Sequence, residues 1–337
     1  MESILLLAHT EADGTLARPA LEALAAAIAL GGPLTVGLVG AEVQPAADQV
    51  ASCGAARFLA VRGDAFAQPR YATDAAAAEA ICRAWGCGIV LAAGTSRWAR
   101  ALPGVAQRLG GRVDTHANAI VAQNGGAAVA RWFYRQRMEA VLTRTQRPWI
   151  VLLDPGCVAA WSGAAGAAGS AAVEAVACEP PATRTTVTGF RATEGDEQTI
   201  RPDAKLLFVA GAGWTKKQAD GAVHAAEAER LILGMLRKSQ ASLGGSKSLV
   251  DLSGEGEAVL RFMTHMNQIG QTGSTPRHPK GLSTCCHGEE PHVVGWRFVN
   301  QRRAINLDAN CGWARGKADV LYVADAFEVM RHLNALL

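Results

Sequence analysis

The chain has 337 residues, of which 49% are hydrophobic and 19% charged, with a formal net charge of +3. That balance excludes an intrinsically disordered chain. The small, dispersed charge and an aromatic content of 6% also exclude the basic surface and stacking platforms of a nucleic-acid binder.

A chain of this length buries large cores and usually divides into two domains. The first residues, MESILLLAHTEADG, lead directly into a strand at Ile4–Ala8. No basic segment, long apolar region and cleavage site stand there, so no signal peptide is expected. No apolar run approaches the roughly 20 residues that span a bilayer. The expectation is a cytoplasmic protein without stable membrane insertion.

Pro19–Leu30 reads as a helix that Gly31-Gly32 stops. Leu34–Val39 is the next strand. Thr73 or Asp74 is placed to cap a helix through Trp85, and Gly88–Ala92 is again a strand. Strands separated by helices of this length predict a parallel sheet covered on both faces. Around Ala127–Thr143 the pattern turns more polar and strand-like, which predicts antiparallel additions, and Trp149–Leu153 returns to a short apolar strand.

From Cys178 to Asp203 the sequence CEPPATRTTVTGFRATEGDEQTIRPD loses apolar periodicity and reads as a connection between domains. Lys205–Ala210 opens a second α/β unit, whose strand runs through GAGWTKKQAD into a long helix containing HAAEAERLILGMLRK. The expected fold class is therefore α/β in two domains, an N-terminal parallel-sheet domain and a C-terminal doubly wound one. The expected boundaries are 1–182, a linker at 183–203, and 204–337.

The candidate chemistry lies in the second domain. Gly211 and Gly213 follow a strand and precede a helix, where backbone can approach a ligand and a helix N-terminus can receive an anion. The third glycine of a dinucleotide fingerprint is missing, so a tight packed turn reads equally well. GGSKS at Gly244–Ser248 and GQTG at Gly270–Gly273 offer further glycine-flanked turns with hydroxyls and a cation. None matches GxxxxGK[ST], which disfavours a P-loop nucleotide hydrolase. His287, His292 and the adjacent Cys285 and Cys286 lack the spacing of a zinc site, because neighbouring cysteines seldom reach one tetrahedral ion together. The eight cysteines are scattered without a CxxC pair; most are expected to be buried small hydrophobes.

The order of these pieces resembles the alpha subunit of electron-transfer flavoproteins nearly end to end. ILLLAHTEADGTLARPALEALAAAIALGG resembles that family's first strand, turn and helix. LAAGTSRWARALPGVAQRLG resembles a later strand and helix, and GSAAVEAV at Gly169–Val176 the end of its first domain. GGSKSLVD, NQIGQTG, CHGEEPH, AIN and ADVLYVAD then follow in the family's order.

The resemblance implies an FAD-binding C-terminal domain. It implies that Ser246 and Lys247 stand beside the flavin, and that Gln268, Gly270, Gln271, Thr272 and Gly273 form the loop contacting its ring and ribityl chain. It sets His287, Gly288 and His292 on the segment near the pyrimidine edge, matches Asn306 to the family's AIN asparagine, and matches Asp319 to the aspartate near the adenosine half. Gly213 stands where the family has arginine, Lys247 replaces a second arginine, and His287 replaces a serine; these departures bear on how FAD is held and on its redox potential. The implied role is an electron carrier rather than a substrate-transforming enzyme. Its N-terminal domain would contact an electron-transfer flavoprotein beta subunit, its donor would be a flavoprotein dehydrogenase, and its acceptor a quinone oxidoreductase. The alternatives are a subunit of a flavin-dependent dehydrogenase complex and a nucleotide-binding structural subunit without flavin.

Overall fold

In a computed structural model, the structure describes residues 2–133, 138–163, 169–189, 200–201, 203–251, 259–269, 275–284, 299–311 and 318–337. The chain forms two compact units, Met1–Phe190 and Arg191–Leu337. Both are α/β.

The N-terminal unit contains β1 (Ile4–His9), α1 (Arg18–Ala29), β2 (Leu34–Gly40), α2 (Gln44–Gln49), β3 (Arg57–Arg62), α3 (Tyr71–Trp85), β4 (Ile89–Ala93), α4 (Ser96–Arg108), β5 (Arg112–Gln123), β6 (Gly126–Phe133), β7 (Met138–Leu142), β8 (Trp149–Leu153) and β9 (Val173–Ala175). They make one sheet in the order β7-β6-β5-β8-β4-β1-β2-β3-β9. All pairs are parallel except β5–β6 and β6–β7, the antiparallel additions expected from the polar, strand-like stretch. Because β1 is central, both of its faces are buried. Ile4, Leu6 and Ala8 pack with α1, while Leu5 and Leu7 pack with α3 and α4. That two-sided burial is why ILLLA shows no polar alternation.

One expected cap is corrected. Helix α3 begins at Tyr71, so Thr73 and Asp74 lie inside its first turn. Asp74 is fully buried and accepts two hydrogen bonds from Arg97, at 2.7 and 3.0 Å, tying α3 to α4. A carboxylate with a buried arginine partner is spent on packing, and no side chain caps this helix.

The C-terminal unit contains β10 (Leu206–Ala210), α5 (Ala225–Ser239), β11 (Ser242–Gly245), α6 (Lys247–Asp251), β12 (His278–Thr284), β13 (Val299–Asn306), β14 (Val320–Val323) and α7 (Ala326–Leu336). Its five-stranded sheet has the order β11-β10-β12-β13-β14 and is parallel throughout. Alternation sorts its side chains by face. Phe208, Ala210 and Ile305 pack under α5 and α7, and Leu207, Val209 and Ala304 point the other way. A step from β10 to β11 and a step from β13 to β14 run in opposite directions across the sheet, so right-handed crossovers put them on opposite faces. Accordingly α5 packs with Phe208, and Cys311 of the β13–β14 connection packs with Val209. The unit is doubly wound.

The antiparallel end of the first sheet is pinned by charge. Asp114 on β5 is buried and accepts from Arg131 at 3.0 Å, from Arg144 at 2.9 and 3.0 Å, and from the Trp149 indole at 2.9 Å. Burial pushes this carboxyl up, but the bonds from Arg144, Trp149 and Arg131 outweigh it and hold it below the usual carboxylate range. Its stabilisation is therefore present above the unfolded-state value of about 3.9 and lost as pH falls through the lower folded-state value. Replacing Asp114 by Asn should cost about 2–3 kcal/mol at pH 7, less than the ~3–5 of a fully buried pair because both arginines reach solvent. Urea denaturation of the variant and the parent would measure it, and the difference should narrow below about pH 4.

Candidate functional site

Strand β10 has β11 on one side and β12 on the other, and the chain leaves β10 towards β11 while β12 extends the sheet the opposite way. The crevice beyond the carboxyl end of such a central strand is where open α/β sheets bind ligands. Here the backbone of both neighbours clasps the turn that follows β10. The Gly211 N–H donates to the Thr284 carbonyl at 2.9 Å, and the Ser246 N–H donates to the Ala210 carbonyl at 3.0 Å.

The turn itself is closed. Ala212, Gly213, Trp214 and Thr215 are all buried. The Trp214 indole donates to Thr284 Oγ1 at 2.8 Å, and that hydroxyl donates to the Val209 carbonyl at 3.1 Å. The indole also lies against Phe327, with ring centroids 4.6 Å apart. Gln218 Nε2 donates to the Gly213 carbonyl at 3.0 Å. Gly213 thus offers backbone alone where an arginine would bring a cation.

The second strand end is built from GGS. A Cβ on Gly244 would lie 2.4 Å from Ile269 Cγ2, and one on Gly245 would lie 2.2 Å from Met263 Cε. Gly244 is therefore required for the close approach of Ile269, whereas at Gly245 the flexible end of Met263 could give way. Gln268 bridges to Gly245, and the Ile269 N–H donates to the Gly245 carbonyl at 3.1 Å. This brings Gln268 beside Ser246. The buried Ser246 hydroxyl accepts from the Leu249 N–H at 3.2 Å, at the start of α6, whose first residue is Lys247.

Asn306 stands at the same edge, at the end of β13. Its Oδ1 accepts from the Asp308 N–H at 3.0 Å, and its carbonyl accepts from the Ala324 N–H at 3.2 Å. The latter bond draws the end of β14 alongside and sets Asp325 at this edge, where its carboxylate caps α7 by accepting from the Glu328 N–H at 3.0 Å.

Asp319 is elsewhere. It precedes β14, and its carboxylate accepts from the Arg302 N–H at 2.6 Å, near the start of β13. Arg302 and Asn306 are four residues apart along one strand, roughly 13 Å at the rise of a β-strand. The parallel register that pairs Arg303 with Val320 and Asn306 with Val323 makes this unavoidable, because residues entering and leaving a four-residue strand lie at opposite edges. The structure brings together Gly211, Gly213, Ser246, Gln268 and Asn306 but parts Asp319 from them. Gly270, Gln271, Thr272, Gly273, His287, Gly288 and His292 lie outside the described residues, as do Cys285 and Cys286. Among the described residues no cluster of three or more His, Cys, Asp or Glu could hold a metal ion.

Residues 4–181 match the model of the electron transfer flavoprotein domain. The chain belongs to the electron transfer flavoprotein family. No curated protein matches it. Electron transfer flavoproteins carry electrons on a flavin, and the matched segment covers the N-terminal unit, while the glycine-lined edge lies beyond it in the C-terminal unit. No helix among the described residues is long and apolar enough to cross a membrane.

Two features of this edge were not read from the sequence. Asp325-Ala-Phe-Glu328 directly after a strand has the Asp-x-x-Glu spacing of a helix start, which is the available signal. The Trp214–Thr284 bond joins residues far apart in the chain, and no local pattern reports it. Trp214→Phe should cost about 1 kcal/mol through the lost hydrogen bond, and Trp214→Ala about 3–5 kcal/mol through lost packing. Chemical denaturation followed by a probe in the C-terminal unit would check the order of the two.

Proposed function

We infer that this electron transfer flavoprotein is an alpha subunit that holds FAD at the carboxyl edge of its C-terminal sheet. The observation that carries the reading is a second parallel α/β unit, joined to an electron transfer flavoprotein domain, in which the chain after β10 and the end of β11 bring Gly211 and Gly245 side by side. The donor set fits a dinucleotide. Gly211 and Gly245 leave two adjacent strand ends without side chains, so backbone can approach phosphate closely. The start of α6, with Ser246 and Lys247, offers N–H groups and a cation to negative charge. We propose Asp325, which shares this edge with Asn306, in place of Asp319 as the acid that accepts hydrogen bonds from ribose hydroxyls.

When bound, FAD supplies the ring that takes up and releases electrons. The chain positions it. The loop from Gln268 through Gly270, Gln271, Thr272 and Gly273 continues from the bridge to Gly245 and is assigned to the ring side, together with His287, Gly288 and His292. Lys247 keeps the charge of an arginine without its planar, bidentate fork. The N-terminal unit is assigned to contact with a beta subunit. The complex would accept electrons from a flavoprotein dehydrogenase in the cytoplasm and pass them to a quinone oxidoreductase.

Coexpression with a beta subunit, followed by denaturation and chromatography of the released cofactor, tests the reading. FAD is expected. AMP alone would favour a nucleotide-binding subunit without flavin, which the missing arginine at Gly213 would explain, and FMN would contradict the dinucleotide site. Asp325→Ala should lower FAD affinity about tenfold, the ~1–2 kcal/mol of lost charge-assisted bonds. Asp319→Ala should leave the affinity within twofold.

A further inference from the structure

Helices α5 and α7 lie side by side over the C-terminal sheet, and the Lys238 ammonium donates to the Asn334 carbonyl at their carboxyl ends. Beneath those ends is a cavity of about 540 Å³, lined from the sheet by residues of β10, β12, β13 and β14. It reaches Leu206 and Lys280, near the amino ends of their strands, and at its other end Ile305, Val323 and Ala324, while Gly211, Gly213, Ser246, Gln268 and Asn306 do not line it. Its volume falls in the roughly 300–1,000 Å³ range of small-molecule sites.

The lining is chemically lopsided. Leu206, Leu282 and Ile305 come from the sheet, and Met235 and Leu333 from the helices. Tyr322, Val323 and Leu337 line it too and are 46%, 56% and 53% exposed, so the apolar surface continues out to solvent. Contiguous exposed apolar surface of this kind marks a contact site. The charged side chains of the lining are Lys280 and Arg303, and no acidic side chain is among them.

These two cations differ from others in the unit. Arg261 pairs with Glu229, Arg302 with Asp319 and Arg331 with Glu227. Lys280 and Arg303 are exposed, and neither side chain has an ion pair or hydrogen bond among the described residues. In the β12–β13 register Lys280 faces Gln301 and Leu282 faces Arg303. The cations therefore stand on adjacent strands and the same face, about 8 Å apart from strand spacing and rise. One carboxylate can lie between them while an attached chain enters the apolar space.

We propose that this cavity binds an aliphatic chain with a single anionic head, a fatty carboxylate, with the chain over Leu282 and Ile305 and the head between Lys280 and Arg303. Arginine takes a carboxylate through two parallel bonds, and lysine adds a point charge.

Calorimetric titration of the full chain with dodecanoate below its micelle concentration tests this, beside dodecanol and dodecyltrimethylammonium. One saturable site is expected, with dodecanoate binding at least tenfold more tightly than either comparison. Lys280→Ala combined with Arg303→Ala should weaken dodecanoate at least tenfold and leave dodecanol within twofold; both positions are exposed, so folding is not at stake. Leu333→Trp should block all three, and if that variant fails to fold the charge pair decides alone. Absence of saturable binding, equal binding of the three amphiphiles, or an unchanged affinity in the double variant would overturn the proposal. Sedimentation with phosphatidylglycerol vesicles, without binding of monomeric dodecanoate, would overturn it in favour of a membrane surface.

Discussion

The C-terminal unit turns on one hydrogen-bonded junction, where the turn after β10 is held to the end of β12. The Gly211 N–H reaches the Thr284 carbonyl, and the Trp214 indole reaches the Thr284 hydroxyl, which in turn bonds back to Val209. A central parallel strand must end somewhere, and its last peptide groups need partners. Here the neighbouring strands supply them, so the turn needs no cation or bound group to hold its shape. Trp214 then fills the space beneath and carries α7 through Phe327. What remains at the edge is backbone and small polar side chains.

The same constraint accounts for the two glycines before Ser246. Gly244 is dictated by the close passage of Ile269 and Gly245 lies against Met263, and together they bring a strand end without side chains next to Gly211. Packing and ligand approach thus ask for the same residues, which is why GGS alone could not distinguish a tight turn from a cradle. Lys247 follows at the first residue of α6.

Much of the architecture was legible because buried parallel strands announce themselves. Trp149–Leu153 is a strand over the residues read from its apolar run, and the helix expected at Pro19–Leu30 spans Arg18–Ala29. The change of pattern around Ala127–Thr143 marked the antiparallel end because those strands have a partly solvated face. Local rules failed where tertiary pairing overrode them. Asp74 looks like a cap, yet a buried arginine claims it. Asp319 and Asp325 sit only six positions apart, and the short strand between them sets them at its opposite ends. Register decides, since a four-residue strand separates them by its whole length.

The central claim is that the carboxyl edge of the C-terminal sheet, not its other end and not the N-terminal unit, receives the cofactor. Hydrogen–deuterium exchange of the chain stripped of its cofactor, with and without added FAD, measures this most directly. Protection is expected at Gly211–Thr215, Ser246–Leu249 and Asn306–Asp308, with Arg201, Arg302 and Asp319 unchanged. Protection confined to the opposite edge, or to residues before Phe190, would contradict it.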